Sequence, residues 1–197
     1  GQFPDLASFL VHFATRRGDF VFLGRLVSSA FAVATVPFLY ALTRRLFNER
    51  AALLASCAFA VSYPVIFYAH IAANITMLMF LTAASMYFIV RISEEDSPKN
   101  YTLAGAFIGI AVGTKYYPIL LLLPLLFAHF HREGWEHGWR GAGNLKRLSL
   151  AGLAIGLCAI VMFPLSLLAF DQWSYFIKGT FAYYTGGNVV RNAFKLL

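Results

Sequence analysis

Apolar positions along the chain fall into long continuous runs rather than into alternating or 3.6-residue patterns. A run long enough to cross ~30 Å of hydrocarbon reads as a transmembrane helix. Six such runs are expected: Phe20–Thr43, Ala51–Ala69, Ala72–Val90, 98–114, 116–131 and Leu148–Phe170. The fourth extends back from Tyr101 because Ser97-Pro98 is a good N-cap and first-position pair. His70 separates the second run from the third, and Lys115 the fourth from the fifth. Two flanking segments have amphipathic spacing instead. In Asp5–Thr15, Leu6, Phe9, Leu10 and Phe13 share one face, and Trp173, Phe176, Ile177, Phe181 and Tyr184 do so in Asp171–Thr185. Both read as helices lying in the membrane interface, the second ended by Gly186-Gly187.

The predicted fold class is therefore all-α, a polytopic membrane bundle forming one domain over residues 1–197. Composition agrees: 59% of the 197 residues are hydrophobic and only 13% charged. A soluble domain of this size needs more charge to cover its surface, and disorder needs far less apolar content. Two cysteines inside apolar runs, Cys57 and Cys158, exclude a disulfide scaffold. The net charge of +7 is not a nucleic-acid stripe. Arg44, Arg45 and Arg50, then Arg91 and Lys99, then Arg132, Arg140, Lys146 and Arg147 occupy three alternate loops. The loops around His70 and Lys115 carry one basic residue between them, so the basic loops are expected on the cytoplasmic side. The His70 turn, Lys115 and both chain ends then face outward. Because the chain starts at Gly1 without a signal peptide and stops on an apolar stretch, we expect a fragment of a longer protein.

Small-residue ridges at Gly105, Gly109 and Gly113, and at Gly152 and Gly156, are expected to let helix backbones approach closely. Pro37, Pro64, Pro118, Pro124 and Pro164 are expected at kinks or near helix ends. Phosphate-loop, HExxH and GxSxG motifs are missing, and no run carries a buried Asp or Glu. The loop from His129 to Trp139 holds three histidines and two carboxylates, but in no standard metal-ligand spacing. Trp135 and Trp139 there read as interface anchors. No metal site or resident cofactor is assigned, and a divalent ion is left open.

The remaining ionisable groups at membrane depth converge on the outer side: Arg25, His70 with Asn74, and Lys115. Two fixed cations and a histidine at headgroup level suit an anionic headgroup or a lipid-linked phosphate. The plainer alternatives are a snorkelling Arg25 or Lys115, a packing or capping His70, and an accidental glycosylation sequon at Asn74-Ile-Thr76.

Gly24-Arg25-Leu-Val-Ser-Ser-Ala-Phe, Leu39-Tyr40, Arg44-Arg45-Leu-Phe and Arg50-Ala-Ala-Leu-Leu-Ala resemble spans of the GT-C membrane glycosyltransferases. Tyr63-Pro64, Tyr68-Ala-His70 and Gly109-Ile-Ala-Val-Gly-Thr-Lys115-Tyr-Tyr-Pro118 continue the resemblance in order, over Pro4 to Phe130. The branch it is most similar to joins the dolichyl-phosphate-mannose–protein mannosyltransferases and the aminoarabinose transferases of lipid A. The resemblance implies inverting transfer of a sugar from a polyprenyl-phosphate donor to a protein or lipid acceptor. It places the chain as a multi-pass protein of the bacterial inner membrane or endoplasmic reticulum, active on the outer or lumenal face. Lys115 best matches a donor-phosphate position, with Arg25 and His70 as weaker matches. The general base is expected upstream of Gly1, since neither Asp5 nor Asp19 matches the family's catalytic loop. His70-Ile-Ala-Ala-Asn74-Ile-Thr76 lacks the acid that many relatives place there, leaving only Asn74 nearby. A transporter or lipid-flippase module and a non-catalytic membrane scaffold subunit are the alternatives.

Overall fold

The computed structural model describes residues 17–95, 97–133 and 142–162. By its contacts the chain divides into units 1–159 and 160–197, and the account below concerns the first. Every element is helical. α1 is Arg17–Leu46, α2 Glu49–Val61, α3 Tyr63–His70, α4 Ile75–Glu94 and α5 Pro98–Thr114. A 3₁₀ turn at Tyr117–Leu121 leads into α6, Leu122–Glu133, and α7 is Ala142–Met162.

The punctuation has local causes. Asn48 caps α2 by accepting a 2.9 Å bond from the Ala51 amide, which satisfies one orphan donor of the first turn. Ser62 is extended, at φ −70° and ψ 133°, because Pro64 lacks an N–H and opens the next helix. The expected second run is thus two helices bent by 48°, not one straight span. Pro98 does start α5, but Ser97 makes no side-chain capping bond, so the proline carries that helix start alone. Lys115 is extended and ends α5, its N–H closing on the Ala111 carbonyl at 2.9 Å. Pro118 tightens the following turn to 3₁₀ geometry.

Among the described residues three helices are long and apolar enough to cross a membrane, or four if the bent pair counts as one span. α5 has 17 residues and the segment Tyr117–Arg132 is shorter still; at 1.5 Å per residue both reach only about 25 Å. Six full-length spans are therefore not what the described residues form. The expected interfacial helices at 5–15 and 171–185, Pro164, and the end of the sixth run lie outside the described residues.

α4 is the central helix, flanked by α1 on one side and by α5 and α6 on another. An aromatic seam joins the first three. The Phe38 ring meets Phe80 edge-on at 5.4 Å between centroids, and Phe88 stacks on Phe107 at 5.7 Å. Ile89, Ile92, Tyr101, Ile108 and Leu125 fill the core between α4, α5 and α6. Lipid is as apolar as these side chains, so association rests on dispersion and on internal polar links rather than on water exclusion. One such link is buried: the Tyr101 hydroxyl lies 2.8 Å from His129 Nδ1, both residues being fully enclosed. His129, where the expected fifth run and the loop after it overlap, is therefore a core residue of α6.

The glycine ridges divide. A Cβ on Gly105 would stand 2.4 Å from the Ala151 carbonyl oxygen, and one on Gly109 2.5 Å from that of Ile155. α5 and α7 are in backbone contact along that ridge. Gly152 and Gly156 have nothing within 4 Å of an added Cβ and form no ridge in the described structure. α7 meets α5 through Ala151 and Ile155 instead.

Candidate functional site

Opposite ends of this bundle carry different chemistry. At one end Arg45 of α1 pairs with Glu94 of α4 and lies over the Tyr87 ring at 5.3 Å. Arg91 pairs with Glu95 one turn along. Its guanidinium, by hydrogen bond and then by charge, holds the Glu95 carboxyl below its usual range. Arg132 of α6 donates to the Ile92 carbonyl at 3.4 Å. The ends of α1, α4 and α6 therefore bring their basic residues together, as the loop alternation requires.

The other end is built by the start of α1, the turn between α3 and α4, and the C-terminus of α5. Gly24 admits Ala72 against the α1 backbone, since a Cβ there would stand 2.6 Å from the Ala72 side chain. Ser28 Oγ donates to the Ala73 carbonyl at 3.1 Å and Ser29 Oγ to the Ala69 carbonyl at 3.0 Å. Ser29 thereby satisfies a last-turn carbonyl of α3, and Ser28 one in the turn that follows it. Arg25, next to Gly24 in α1, lies at the same end of the bundle, one turn before Ser28 and Ser29. Leu78 and Leu81 of α4 pack with Ala111 of α5, which sets Lys115 at the same end. The expected convergence of Arg25, His70, Asn74 and Lys115 on one end is what the helices produce.

Each of the four is available to a ligand rather than spent within the fold. Arg25, His70 and Asn74 are exposed and Lys115 half-buried. None takes part in an ion pair with the described residues. His70 Nδ1 lies 2.7 Å from the Ile66 carbonyl; a carbonyl only accepts, so Nδ1 carries the proton and Nε2 is left outward. Asn74 precedes α4 without capping it through its side chain. The Lys115 ammonium sits 6.0 Å from the Tyr117 ring centre, near the limit of a cation–π contact. Asp19, in the first turn of α1, is the acidic residue of this end among the described residues. The four do not bond to one another, and each comes from a different break or helix face.

Sequence reasoning missed Ser28 and Ser29. They stand in the Gly-Arg-Leu-Val-Ser-Ser run, and their signal is the pair of hydroxyls one turn past Arg25, placed to clamp a neighbouring helix end. Among the described residues no group of His, Cys, Asp or Glu is arranged to hold a metal ion. Residues 134–141, with Trp135, His137 and Trp139, lie outside the described set.

Taken together, this end carries two fixed cations, an imidazole nitrogen and an amide, with Tyr116 and Tyr117 following Lys115. Tyrosines at such a level are typical of a membrane interface. The arrangement can bind an anion carried on a lipid and screen its charge from the hydrocarbon beside it. A family model described as dolichyl-phosphate-mannose-protein mannosyltransferase matches residues 4–167. No curated protein and no solved structure matches the chain.

Proposed function

The chain belongs to the dolichyl-phosphate-mannose-protein mannosyltransferase family, membrane glycosyltransferases of GT-C type, and from that premise we propose a specific reaction. It transfers a sugar from a polyprenyl-phosphate donor to a protein or lipid acceptor, on the outer or lumenal side of the membrane. The observation that carries the proposal is the convergence of Arg25, the His70–Asn74 turn and Lys115 on one end of the bundle.

The acceptor hydroxyl attacks the anomeric carbon as the bond to the donor phosphate breaks, so negative charge builds on the leaving phosphate. A cation already in place stabilises that charge more in the transition state than in the ground state. Lys115 has this role in our reading, with Arg25 holding a second phosphate oxygen. His70 Nε2 and the Asn74 amide orient the headgroup. The proton on the acceptor goes to a general base, in the family a carboxylate, which none of these four residues supplies.

The test uses the full-length protein in membranes with a polyprenyl-phosphate sugar. Lys115→Ala is expected to lower turnover by about 10²-fold, the usual effect of losing one donor to a developing oxyanion. Lys115→Arg should restore part of the loss. Unchanged donor binding and turnover in Lys115→Ala would remove Lys115 from the site. Family membership favours this reading over a transporter or scaffold, which would move or hold the lipid without transferring sugar.

A further inference from the structure

A cavity of about 440 Å³ opens at the arginine-rich end of the bundle, between the later part of α1, the last turns of α4 and the first turn of α5. It is remote from the proposed sugar-transfer site and its reading does not depend on that one. The wall changes character with depth. Phe38, Ala41 and Leu103 form an apolar side toward the middle of the helices, and Arg91, Lys99 and Asn100 form the polar side at their ends. Phe38 is fixed by edge-on contacts with Phe80 and Tyr87, so the apolar side is a firm surface.

The polar side has donors in excess. Arg91 gives one guanidinium nitrogen to Glu95, while its Nε is buried without a hydrogen-bond partner. Asn100 is only 2% exposed, and its Nδ2 is also buried with no hydrogen-bond partner. Glu95 lies near enough to be influenced by the Asn100 amide, yet makes no hydrogen bond to it. Lys99 stands exposed at the mouth. Of the carboxylates among the described residues here, Glu94 is engaged by Arg45 and Glu95 by Arg91. A buried donor left unmade costs its full desolvation. A ligand that accepts several hydrogen bonds and carries negative charge removes that cost.

We propose that this cavity binds one anionic phospholipid. Its phosphate sits on Arg91 Nε, Lys99 Nζ and Asn100 Nδ2, and the first part of an acyl chain lies along Phe38, Ala41 and Leu103. Both the order of the two surfaces and their orientation match a lipid: charge at the helix ends, apolar wall toward the bilayer centre. The volume admits a headgroup and the start of one chain, with the remainder lying outside along the helices.

The experiment measures lipid retention by the full-length protein in mild detergent, by native mass spectrometry, with phosphatidylglycerol and phosphatidylcholine in competition. Phosphatidylglycerol is expected to be retained at least tenfold better. Lys99→Ala and Asn100→Leu should each reduce its retention about tenfold, the scale of one hydrogen bond to a charged group. Arg50→Ala, outside the cavity, should leave it unchanged. Lys99 is exposed, so Lys99→Ala tests the site even if Asn100→Leu disturbs folding. Equal retention of the two lipids, or wild-type retention by Lys99→Ala, would overturn the proposal. Displacement by inorganic phosphate as effective as that by short-chain phosphatidylglycerol would also overturn it, by showing a free-anion site in place of a lipid site.

Discussion

Replacing Gly105 by alanine asks how much of the bundle's cohesion comes from backbone contact between α5 and α7. The new Cβ would lie 2.4 Å from the Ala151 carbonyl oxygen and 3.0 Å from both its carbonyl carbon and Cα. Ordinary carbon–oxygen contacts are about 3.3–3.6 Å, so the helices must part by about 1 Å. The obstacle is backbone and cannot rotate aside. A gap of that size forfeits about a quarter to a half of each dispersion well along the seam, and overpacking of this kind costs about 1–3 kcal/mol. Gly152→Ala is the matched control, because nothing lies within 4 Å of its new Cβ. There only the helix-propensity gain of about 1 kcal/mol remains. Gly105→Ala gains the same propensity, so the two variants should differ by the overpacking cost alone, about 2 kcal/mol or roughly a factor of 30 in the unfolding equilibrium. Unfolding of the full-length protein in mixed micelles, titrated with denaturing detergent, reads this difference. If Gly105→Ala unfolds no more easily than Gly152→Ala, the close α5–α7 contact is not part of the native packing.

Three further outcomes follow from the contacts described. Ser28→Ala with Ser29→Ala removes both hydroxyl bonds to the α3–α4 turn, worth about 0.5–1.5 kcal/mol each; the donor KM should rise more than kcat falls, and equal KM values would separate that turn from the donor site. Tyr101→Phe leaves His129 Nδ1 without its 2.8 Å partner and should destabilise the fold by about 1–3 kcal/mol in the same unfolding assay. Glu95 has its carboxyl lowered by Arg91, so its contribution is present above the unfolded-state value and is lost as pH falls through the folded-state one. Stability of the wild type should thus decline in that acid window slightly more than that of Glu95→Gln, and parallel declines would show the pair to be silent.

What the chain made legible was set by strong local rules. The run after Asp19 must be helical in lipid, where every backbone polar group needs an internal partner, and α1 covers it. The start of α5 at Pro98 and its end at Lys115 were readable from one imino acid and one charge. Alternating basic loops foretold that Arg45, Arg91 and Arg132 share one end, and that Arg25, His70 and Lys115 share the other. Pro64 marked a break, but hydropathy alone joined Ala51 to Ala69 and concealed the extended Ser62. Gly152 and Gly156 have the spacing of a packing ridge, yet spacing does not say which face of α7 meets α5. His129 looked like loop material because two further histidines and two tryptophans follow closely. Its burial depends on Tyr101, 28 positions away, and no local pattern records such a pairing. The serine clamp was hidden for the same reason, its acceptors being carbonyls about 40 residues distant.

The unequal helix lengths have a consequence for the membrane itself. α1 has 30 residues and α5 only 17, or about 45 Å against 26 Å. No single bilayer thickness of about 30 Å suits both. α1 can tilt, but a helix that is too short draws the headgroups and water inward at its ends, one of which is Lys115. If Lys115 holds the donor phosphate as proposed, a dip there would let the carrier's charge meet the lysine without being dragged into hydrocarbon. Bilayer thickness would then act on the reaction. Thicker membranes deepen the dip at a cost in elastic strain, and thinner ones flatten it.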